Sequence, residues 1–362
     1  MIEARPSRRG LVGAGLAALG GAIAPVAAHA ETCAVRGTGD LGLVVERATG
    51  SLLLVETTGR TVLSRIEGMG DLSHASIVFD RSERFGFVFG RDGGLTKVDL
   101  LTASIVKRVV QGGNAIGGAI SDDGRLVAVS NYTPGGVRVF DTDTLELVAD
   151  VPAIDARGAA SKTVGLVDLP FRRFAWSLLD GDEIWIGDFT DAKAPKLEKF
   201  PGIGRLPYDG VATSDGRWYV AGLFGEDALT RLDLWSEGAK PEKVLAGYGK
   251  GEQPLPVYKM PHMEGWGAAG NHLIIPAVSH HEVLVVDRDT FALVKTIPTH
   301  GQPVFCVARP DGRQVWVNYA HPDNDTVEVI DVPSLSIVHT FKPGPAVLHL
   351  EFTPRGHEVW IS

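Results

Sequence analysis

The segments SHASIVFD (residues 73–80), FVFGRDGG (residues 87–94) and VD (residues 98–99) set the pattern for the whole chain. In these segments apolar residues alternate or run together over strand-like lengths, and polar turn residues separate the apolar runs. They therefore predict three short strands joined by tight turns. His74 stands at the entrance of the first strand and Arg91 follows the second, so the unit carries candidate ligand-binding side chains at one end.

The same unit recurs along the chain. Aspartates that close a strand return at intervals of 42 to 54 residues, at Asp99, Asp141, Asp188, Asp233, Asp287 and Asp331. Polar turns suited to short hairpins mark the step from the first to the second strand, at Asp122–Gly124, Ser214–Gly216, Pro310–Gly312 and Pro354–Gly356. Repeats of about 40–50 residues are typical of four-stranded propeller blades. We therefore predict an all-β fold, an eight-bladed β-propeller with four-stranded blades.

The last repeat, which begins at Ala346, ends after its second strand at Ser362. The last blade is thus expected to be incomplete as it stands. Either strands near the N-terminus complete it, or the chain is shorter than the natural one.

The composition fits one large folded domain. Of the 362 residues 44% are hydrophobic, and the 44 glycines and 21 prolines fall at turn positions rather than in one low-complexity tract. The formal net charge of −9 argues against nucleic acid as a partner, since no basic stripe is available for phosphates. A hydrolase lacks support, because the sequence contains no Ser/His/Asp signature and no phosphate loop.

The N-terminus has the pattern of an export signal. The twin arginine Arg8-Arg9 precedes an apolar stretch of small residues and the box Ala28-His29-Ala30, which is typical of a cleavage site. A membrane anchor is the alternative, but the apolar stretch contains Pro25 and is shorter than the roughly 20 residues of a spanning helix. We expect a periplasmic protein with an export signal at residues 1–30 and a single propeller domain at residues 31–362.

The chain contains two cysteines, Cys33 and Cys306. In an oxidising compartment they can pair, because the ends of a closed ring come together, or they can remain separate thiols. No Cys-x-x-Cys-His sequence occurs, so no covalently attached heme is expected.

Polar residues at equivalent blade positions become neighbours at the mouth of a propeller, where the loops that enter the innermost strands converge. His74, His262 and His300 occupy such entrances, and Tyr319 and His321 lie in a later loop of their blade. Three histidines at equivalent positions favour a binding mouth. A surface or hydrogen-bonded histidine is the ordinary alternative for each one.

Arg91 ends a second strand, as the pairs Asn131-Tyr132 and Asn318-Tyr319 do in other blades. An arginine there can bind a carboxylate through two parallel hydrogen bonds, or it can cap its own hairpin through Asp92. Further basic residues flank the junction of the third and fourth blades, namely Arg157, Lys162, Arg172 and Arg173. Together they suggest a basic funnel for a small polyanion, with solvated surface charge as the alternative for each residue.

The segments around His74 and Arg91, with Val98-Asp99-Leu100, resemble the heme d1-binding eight-bladed propeller of the cytochrome cd1 nitrite reductases and of related heme d1 biosynthesis proteins. The similarity runs from about residue 41 to the end of the chain. It implies that heme d1 or a late precursor is bound, with His74 as the axial ligand of the tetrapyrrole iron and Arg91 as a clamp for its carboxylates. Nitrite reductase and other heme d1 biosynthesis proteins are the partners that it implies.

The resemblance extends to further site residues. His262 is similar to the histidine on the distal side of the macrocycle, and Thr299-His300-Gly301 is similar to a Thr-Pro-His-Pro-Gly stretch, although the arginine that follows that stretch has no counterpart near Gln302. His262 or Tyr208 is then the proton-handling, catalytic group. The expected cofactor-binding residues are His74, Arg91, His300, Asn131, Tyr319 and His321.

Three functions from different classes are compatible with these features. The first is a dehydrogenase that acts on a heme d1 precursor and passes the electrons to an external acceptor, since the chain shows no acceptor cofactor of its own. The second is a non-catalytic carrier or scaffold that delivers the tetrapyrrole to nitrite reductase. The third is a protein-interaction propeller unrelated to heme, which leaves the inward histidines without a purpose.

The twin arginine makes export testable. Replacing Arg8 and Arg9 together with lysine should leave the precursor in the cytoplasm, because the twin-arginine route reads that pair. Fractionation followed by immunoblotting of the full chain measures the effect, and Arg5→Lys is the matched control. Undiminished export of the double variant would contradict the route.

Overall fold

The computed structural model describes residues 40–247, 265–277 and 281–362. Short antiparallel strands joined by turns make up nearly all of the regular structure in these ranges. No helix within them has the length and apolar character needed to cross a membrane. The predicted export signal, Cys33 and His262 lie outside the described residues.

The described residues form eight antiparallel sheets. The first four sheets are β1 (Leu41–Glu46), β2 (Ser51–Glu56), β3 (Thr61–Ile66); β4 (Ser76–Phe79), β5 (Phe85–Phe89), β6 (Gly94–Asp99), β7 (Ser104–Val110); β8 (Asn114–Ile120), β9 (Leu126–Thr133), β10 (Gly136–Asp141), β11 (Leu147–Val151); and β12 (Thr163–Leu169), β13 (Arg173–Leu178), β14 (Glu183–Asp188), β15 (Lys196–Pro201). The last four sheets are β16 (Pro207–Ala212), β17 (Trp218–Leu223), β18 (Leu229–Asp233), β19 (Glu242–Val244); β20 (Gly267–Ala269), β21 (His272–Ala277), β22 (Glu282–Asp287), β23 (Leu293–Pro298); β24 (Pro303–Ala308), β25 (Gln314–Tyr319), β26 (Val327–Asp331), β27 (Ser336–Phe341); and β28 (Leu350–Phe352), β29 (Val359–Ile361).

Each sheet is a meander in which strands that follow one another in sequence are paired. Sheets two to seven have four strands, whereas among the described residues sheet one has three and sheet eight has two. The eight sheets coincide with the eight repeats seen in the sequence to within a few residues. The prediction of an eight-bladed β-propeller is therefore confirmed.

Apolar side chains fill the space between consecutive sheets. Trp176 and Trp185 of sheet four, both almost completely buried, share one cluster with Val137 and Val139 of sheet three. Corresponding clusters join sheets one and two, two and three, four and five, five and six, and six and seven. Since central strands are covered on both faces, they read as continuous apolar runs in the sequence.

Cys306 is buried in the cluster between sheets six and seven and forms no disulfide with a described residue. Burial raises the pKa of this thiol well above its ordinary value, so it stays protonated and unreactive at neutral pH. The sequence also allowed a disulfide between Cys306 and Cys33, but Cys33 lies outside the described residues.

The recurring aspartates have a common structural task. Each is the last residue of the third strand of its sheet. Asp141, for example, accepts hydrogen bonds from the backbone N–H groups of Asp143 at 3.0 Å and Thr144 at 2.8 Å, and from the Thr144 hydroxyl at 3.0 Å. The others also accept from N–H groups two or three residues further on, at Leu101, Thr190, Trp235, Thr290 and Ser334. The carboxylate thus fixes the turn into the outermost strand.

The strand order sorts the connections onto two edges of the ring. Ser76 at the start of β4 pairs with Phe89 at the end of β5, so the entrance to the first strand and the turn after the second lie at one edge. We call this edge, formed by the entrances to the first strands and the turns between second and third strands, the mouth edge. The hairpin turns that contain Gly124, Gly216 and Gly312, with φ of 73°, 70° and 67°, lie at the opposite edge.

Sheets eight and one also approach each other. The Arg60 guanidinium, in the turn between β2 and β3, donates from Nε to Glu358 Oε1 at 2.8 Å just before β29. Sheet eight packs on sheet seven through the rings of Trp316 and Phe352, whose centroids are 5.6 Å apart. Contacts between neighbouring sheets therefore continue through the end of the described chain.

Removal of one marker carboxylate tests its role in the turn. Asp141→Ala leaves two backbone N–H groups without their acceptor, and we expect the free energy of unfolding to fall by about 1–3 kcal/mol in urea titrations at neutral pH. Asp141→Asn keeps an acceptor oxygen and should lose less. The matched control is Asp143→Ala, whose carboxylate is not an acceptor for the turn. Equal stability of Asp141→Ala and the control would contradict the assignment.

The same residue predicts a pH dependence. Burial opposes the charged form of Asp141, but the hydrogen bonds from Thr144 and Asp143 more than offset this and leave its pKa below the ordinary value of 3.8. A lowered pKa in the folded state means that the stabilisation is present above pH 3.8 and is lost as the pH falls through the folded-state pKa. The difference in stability between the wild type and Asp141→Asn should therefore shrink as the pH falls below 3.8.

Candidate functional site

The mouth edge carries every sequence-predicted site residue that the structure describes. These residues are His74, Arg91, Asn131, Tyr208, His300, Tyr319 and His321. They come from sheets two, three, five and seven, and they stand at entrances to first strands or at the ends of second strands. His262 lies outside the described residues.

Arg91 and Tyr208 are connected through Tyr132, which the sequence placed at a strand end but which was not among the expected site residues. The guanidinium carbon of Arg91 lies 5.4 Å from the centroid of the Tyr132 ring, and the Tyr132 hydroxyl donates a hydrogen bond to the Tyr208 hydroxyl at 3.0 Å. This chain of contacts joins sheets two, three and five. Among the described residues the Arg91 guanidinium, with its five N–H donors, enters no hydrogen bond or ion pair.

The alternative use of Arg91, a cap on its own hairpin through Asp92, is not the observed one. Asp92 forms an ion pair with Arg108 and accepts a hydrogen bond from the N–H of Gly94 at 2.9 Å. The carboxylate next to Arg91 in sequence is therefore engaged elsewhere.

Tyr208 and Tyr132 are suited to donate hydrogen bonds. Tyr208, which is 7% exposed, packs with Val164 and Leu179, and Tyr132 lies half-buried against the same cluster. Burial is the main reason that the pKa of each tyrosine lies above its ordinary value. The raised pKa moves both hydroxyls still further from ionisation at neutral pH, so neither is a base under these conditions.

The backbone before β4 fixes His74 relative to Arg91. The N–H of Arg91 donates to the carbonyl of Asp71 at 2.8 Å, and the Asp71 carboxylate accepts from the N–H of Ser73 at 2.8 Å. The hydrogen bond from Ser73, with a smaller contribution from the nearby charge of Arg91, holds the pKa of Asp71 below its ordinary value. Asp71 therefore links the two residues with the most specific sequence signal.

His300 and Tyr319 form a second group at the mouth edge, on sheet seven. Their rings meet edge to face with centroids 5.9 Å apart. Tyr319 is buried, and its hydroxyl donates to Glu328, which also accepts from the backbone N–H of His300 at 3.1 Å. His300 Nε2 lies 3.9 Å from Asp323 Oδ1, and its side chain is 40% exposed. The geometry makes Tyr319 a support for the more accessible His300.

Asn131 and His321 belong to neither group. Asn131 is fully buried, and its amide exchanges hydrogen bonds with the amide of Gln111 at 2.9 and 3.2 Å. His321 is exposed in the turn that follows Tyr319. The position of Asn131 is thus explained by pairing within the fold, whereas its neighbour Tyr132 contacts Arg91.

The suggested basic funnel is wrong. Arg157 and Lys162 lie at the mouth edge but pair with Asp155 and Asp180, respectively. Arg172 and Arg173 lie at the opposite edge, in the hairpin turn between β12 and β13, where Arg172 pairs with Asp123 and Arg173 donates to the carbonyl of Pro170. Nearness in sequence did not place these residues on one face, because a strand separates the two edges.

Three buried polar atoms at the mouth edge have no hydrogen-bond partner among the described residues. They are Ser76 Oγ, Asn114 Oδ1 and Gln302 Nε2, each at the start of a first strand or just before it. A buried polar atom without a partner costs about 1–3 kcal/mol, so these three atoms call for water or another polar group as a partner. Among the described residues, no group of three or more His, Cys, Asp or Glu side chains is arranged to hold a metal ion.

Known proteins of similar sequence point to one family. Residues 36–362 match the family described as cytochrome D1 heme domain. The protein NirF of Stutzerimonas stutzeri is 57% identical over 330 residues, which are 91% of this chain and 84% of that protein. NirF of Pseudomonas aeruginosa is 56% identical over the same shares of the two chains. The dihydro-heme d1 dehydrogenase of P. aeruginosa is 29% identical over 80% of this chain and 58% of its own length.

Solved structures agree on the fold. The dihydro-heme d1 dehydrogenase NirN, in complex with DHE, superimposes with a TM-score of 0.76 at 24% identity over 90% of this chain and 68% of its own. The β-propeller domain of Cps50 (Swd1) from Myceliophteria thermophila gives a TM-score of 0.56 at 12% identity over 82% of this chain and 91% of its own. The chain belongs to the cytochrome D1 heme domain family and, within it, groups with the NirF proteins.

Proposed function

We propose that this protein takes part in heme d1 biosynthesis and that its mouth edge binds heme d1 or a late precursor as substrate. The observation that carries the proposal is Arg91, which enters no ion pair with a described residue and is held over the ring of Tyr132 at the mouth edge. A tetrapyrrole with carboxylate side chains supplies the anions that such an arginine binds. The family match and the relative that is named for dihydro-heme d1 support this ligand class.

The residues would divide the ligand between them. His74 offers an imidazole nitrogen, a common axial donor to the iron of a tetrapyrrole. Arg91 binds a carboxylate at the periphery of the macrocycle, and the hydroxyl of Tyr208, which accepts the hydrogen bond from Tyr132, adds a donor at the same edge. His300 approaches from sheet seven, so the ligand would lie between sheets two and seven across the mouth.

We further propose that the bound precursor is dehydrogenated. Two electrons and two protons leave a saturated carbon–carbon bond, which becomes a double bond, and the electrons pass to an external acceptor protein or soluble oxidant. His262 is the proposed proton-handling residue, and Tyr208 takes the part of a hydrogen-bond donor. We place the reaction in the periplasm, with nitrite reductase and other heme d1 biosynthesis proteins as partners.

A carrier or scaffold is the second candidate function, and one observation favours it. Tyr132 and Tyr208 are protonated at neutral pH already at the ordinary tyrosine pKa of 10.0, and burial raises the pKa of both further. Neither can accept a proton from a substrate under these conditions. A binding role requires nothing more than the contacts already described.

Two substitutions separate the roles of His74 and Arg91. His74→Ala removes a nitrogen donor to iron and should change the axial-ligand bands in an ultraviolet–visible titration with heme d1. Arg91→Ala should leave those bands in place and weaken affinity by about 1.5–3 kcal/mol, the range for a charge-assisted contact, or less where the carboxylate stays in water. The matched control is Arg138→Ala, which removes a paired arginine from β10.

The contrast between the two variants is the informative result. A propeller that is merely destabilised loses both the spectrum and the affinity in both variants. An unchanged spectrum and affinity in His74→Ala would refute the axial-ligand role. An Arg91→Ala variant as tight as the control would refute the carboxylate clamp.

Turnover distinguishes the enzyme from the carrier. Incubation with a tenfold excess of a dihydro precursor and a soluble electron acceptor should yield product well beyond one equivalent if the protein is a dehydrogenase. Chromatography of the extracted pigments measures the product, and the same mixture without protein is the control. Tight binding with product at or below one equivalent would support the carrier instead.

A further inference from the structure

The loop that carries His74 (residues 67–75, the His74 loop) joins sheet one to sheet two and is held by polar contacts from both. The N–H of Met69 donates to the carbonyl of Gly50 at 3.1 Å, and the carbonyl of Met69 accepts from Arg108 Nε at 3.2 Å. The N–H of Asp71 approaches Asp92 Oδ2 at 3.4 Å. Two charged side chains of sheet two thus contact the backbone of this loop.

These two side chains, Asp92 and Arg108, form an ion pair across sheet two. Asp92 lies in the turn between β5 and β6, directly after Arg91, whereas Arg108 projects from the outermost strand β7. The Asp92 and Arg108 side chains are 32% and 22% exposed, so the pair is largely covered. Since partly desolvated ion pairs are screened less than surface pairs, this one can hold a loop in place.

Glycines make room for the pair on both sides. A Cβ atom added to Gly70 or to Gly94 would overlap both the Asp92 carboxylate and the Arg108 guanidinium. Gly70 also has a φ of 80°, in the left-handed region that favours glycine. The His74 loop therefore closes directly over the ion pair, with no side chain between them.

We propose that the Asp92–Arg108 ion pair is a positioning device that holds the His74 loop against sheet two and so sets the place of His74 relative to Arg91. Asp92 is covalently adjacent to Arg91, and Asp71 of the loop accepts from the N–H of Arg91. One ion pair thereby couples both ligand-binding side chains to the rigid part of the blade. This inference rests on the proposed function for the ligand-binding roles of His74 and Arg91. The contacts between the ion pair and the loop are independent of it.

The alternative is that apolar anchoring alone fixes the loop. Met69 and Leu72 are each 1% exposed and pack in the cluster between sheets one and two. If they suffice, neutralising the ion pair changes nothing in the loop. The two accounts thus differ in a measurable way.

The experiment combines hydrogen exchange of the ligand-free protein with a heme d1 titration, for Asp92→Asn and Arg108→Gln. We expect amide exchange in residues 67–75 to speed up about 10-fold in both variants, while sheets four to six keep their wild-type protection. The apparent dissociation constant for heme d1 should rise about 10-fold with altered axial-ligand bands, as for other residues that orient a ligand from behind. Asp150→Asn, which breaks the Arg138–Asp150 pair on β10 and β11, is the matched control and should change neither readout.

Two results would overturn the proposal. One is wild-type exchange in residues 67–75 of both variants. The other is faster exchange with an unchanged spectrum and affinity, which would separate the loop from the site. If a variant fails to fold, Arg108→Lys is measured in its place. This variant keeps the positive charge opposite Asp92 but loses the hydrogen bond to the Met69 carbonyl. Amide exchange in residues 67–75 and the heme d1 titration again decide. A wild-type protein that does not bind heme d1 refutes the proposed function, and the exchange data then judge the ion pair by themselves.

Discussion

Face-to-face packing between consecutive sheets is the constraint on which the structure depends. No four-stranded sheet of this size can bury both of its faces alone, so each sheet needs a neighbour on either side. The clusters of large side chains, such as Trp176 against Val137, meet that need from sheet one to sheet seven. A consequence for function follows directly. Because every sheet is packed in the same orientation, the same kind of connection from each sheet arrives at the same edge.

The fold could be predicted from the sequence because the residues that mark each repeat act within their own turns. A marker aspartate such as Asp141 accepts hydrogen bonds from residues two and three positions further on, and a hairpin glycine such as Gly124 adopts a positive φ within its own turn. Because these hydrogen bonds form within a single turn, each repeat needs the same residue type at the same position. The repeat period can therefore be recognised in the sequence. The repeats defined by these markers coincide with the eight sheets.

The site was accessible only in part, because it depends on which way side chains point at a strand end. Asn131 and Tyr132 are adjacent, so in a strand they face opposite sides. The sequence directed attention to Asn131, but the register turns its amide toward Gln111 and leaves Tyr132 to contact Arg91. The suggested funnel was wrong for a related reason, since Arg172 is separated from the mouth edge by the length of a strand. The sequence did predict that His74 and Arg91 lie at the same edge, because both belong to one repeat, where sequence distance and spatial position agree.

The charged side chains at the mouth edge differ in how they are paired. Arg108, Arg157 and Lys162 are each matched by an aspartate of the same edge. Arg91 is instead stacked on an aromatic ring, a contact worth roughly 0.5–1 kcal/mol at exposed sites, far less than a bidentate carboxylate offers. The net charge of −9 means that acidic side chains outnumber basic ones. Even so, Asp92, which follows Arg91 directly in sequence, pairs with Arg108 instead. Among the described residues, Asp92 is thus engaged by Arg108, and the charge of Arg91 acts instead on Asp71, whose pKa it helps to lower. An anionic ligand at Arg91 is the binding that we propose.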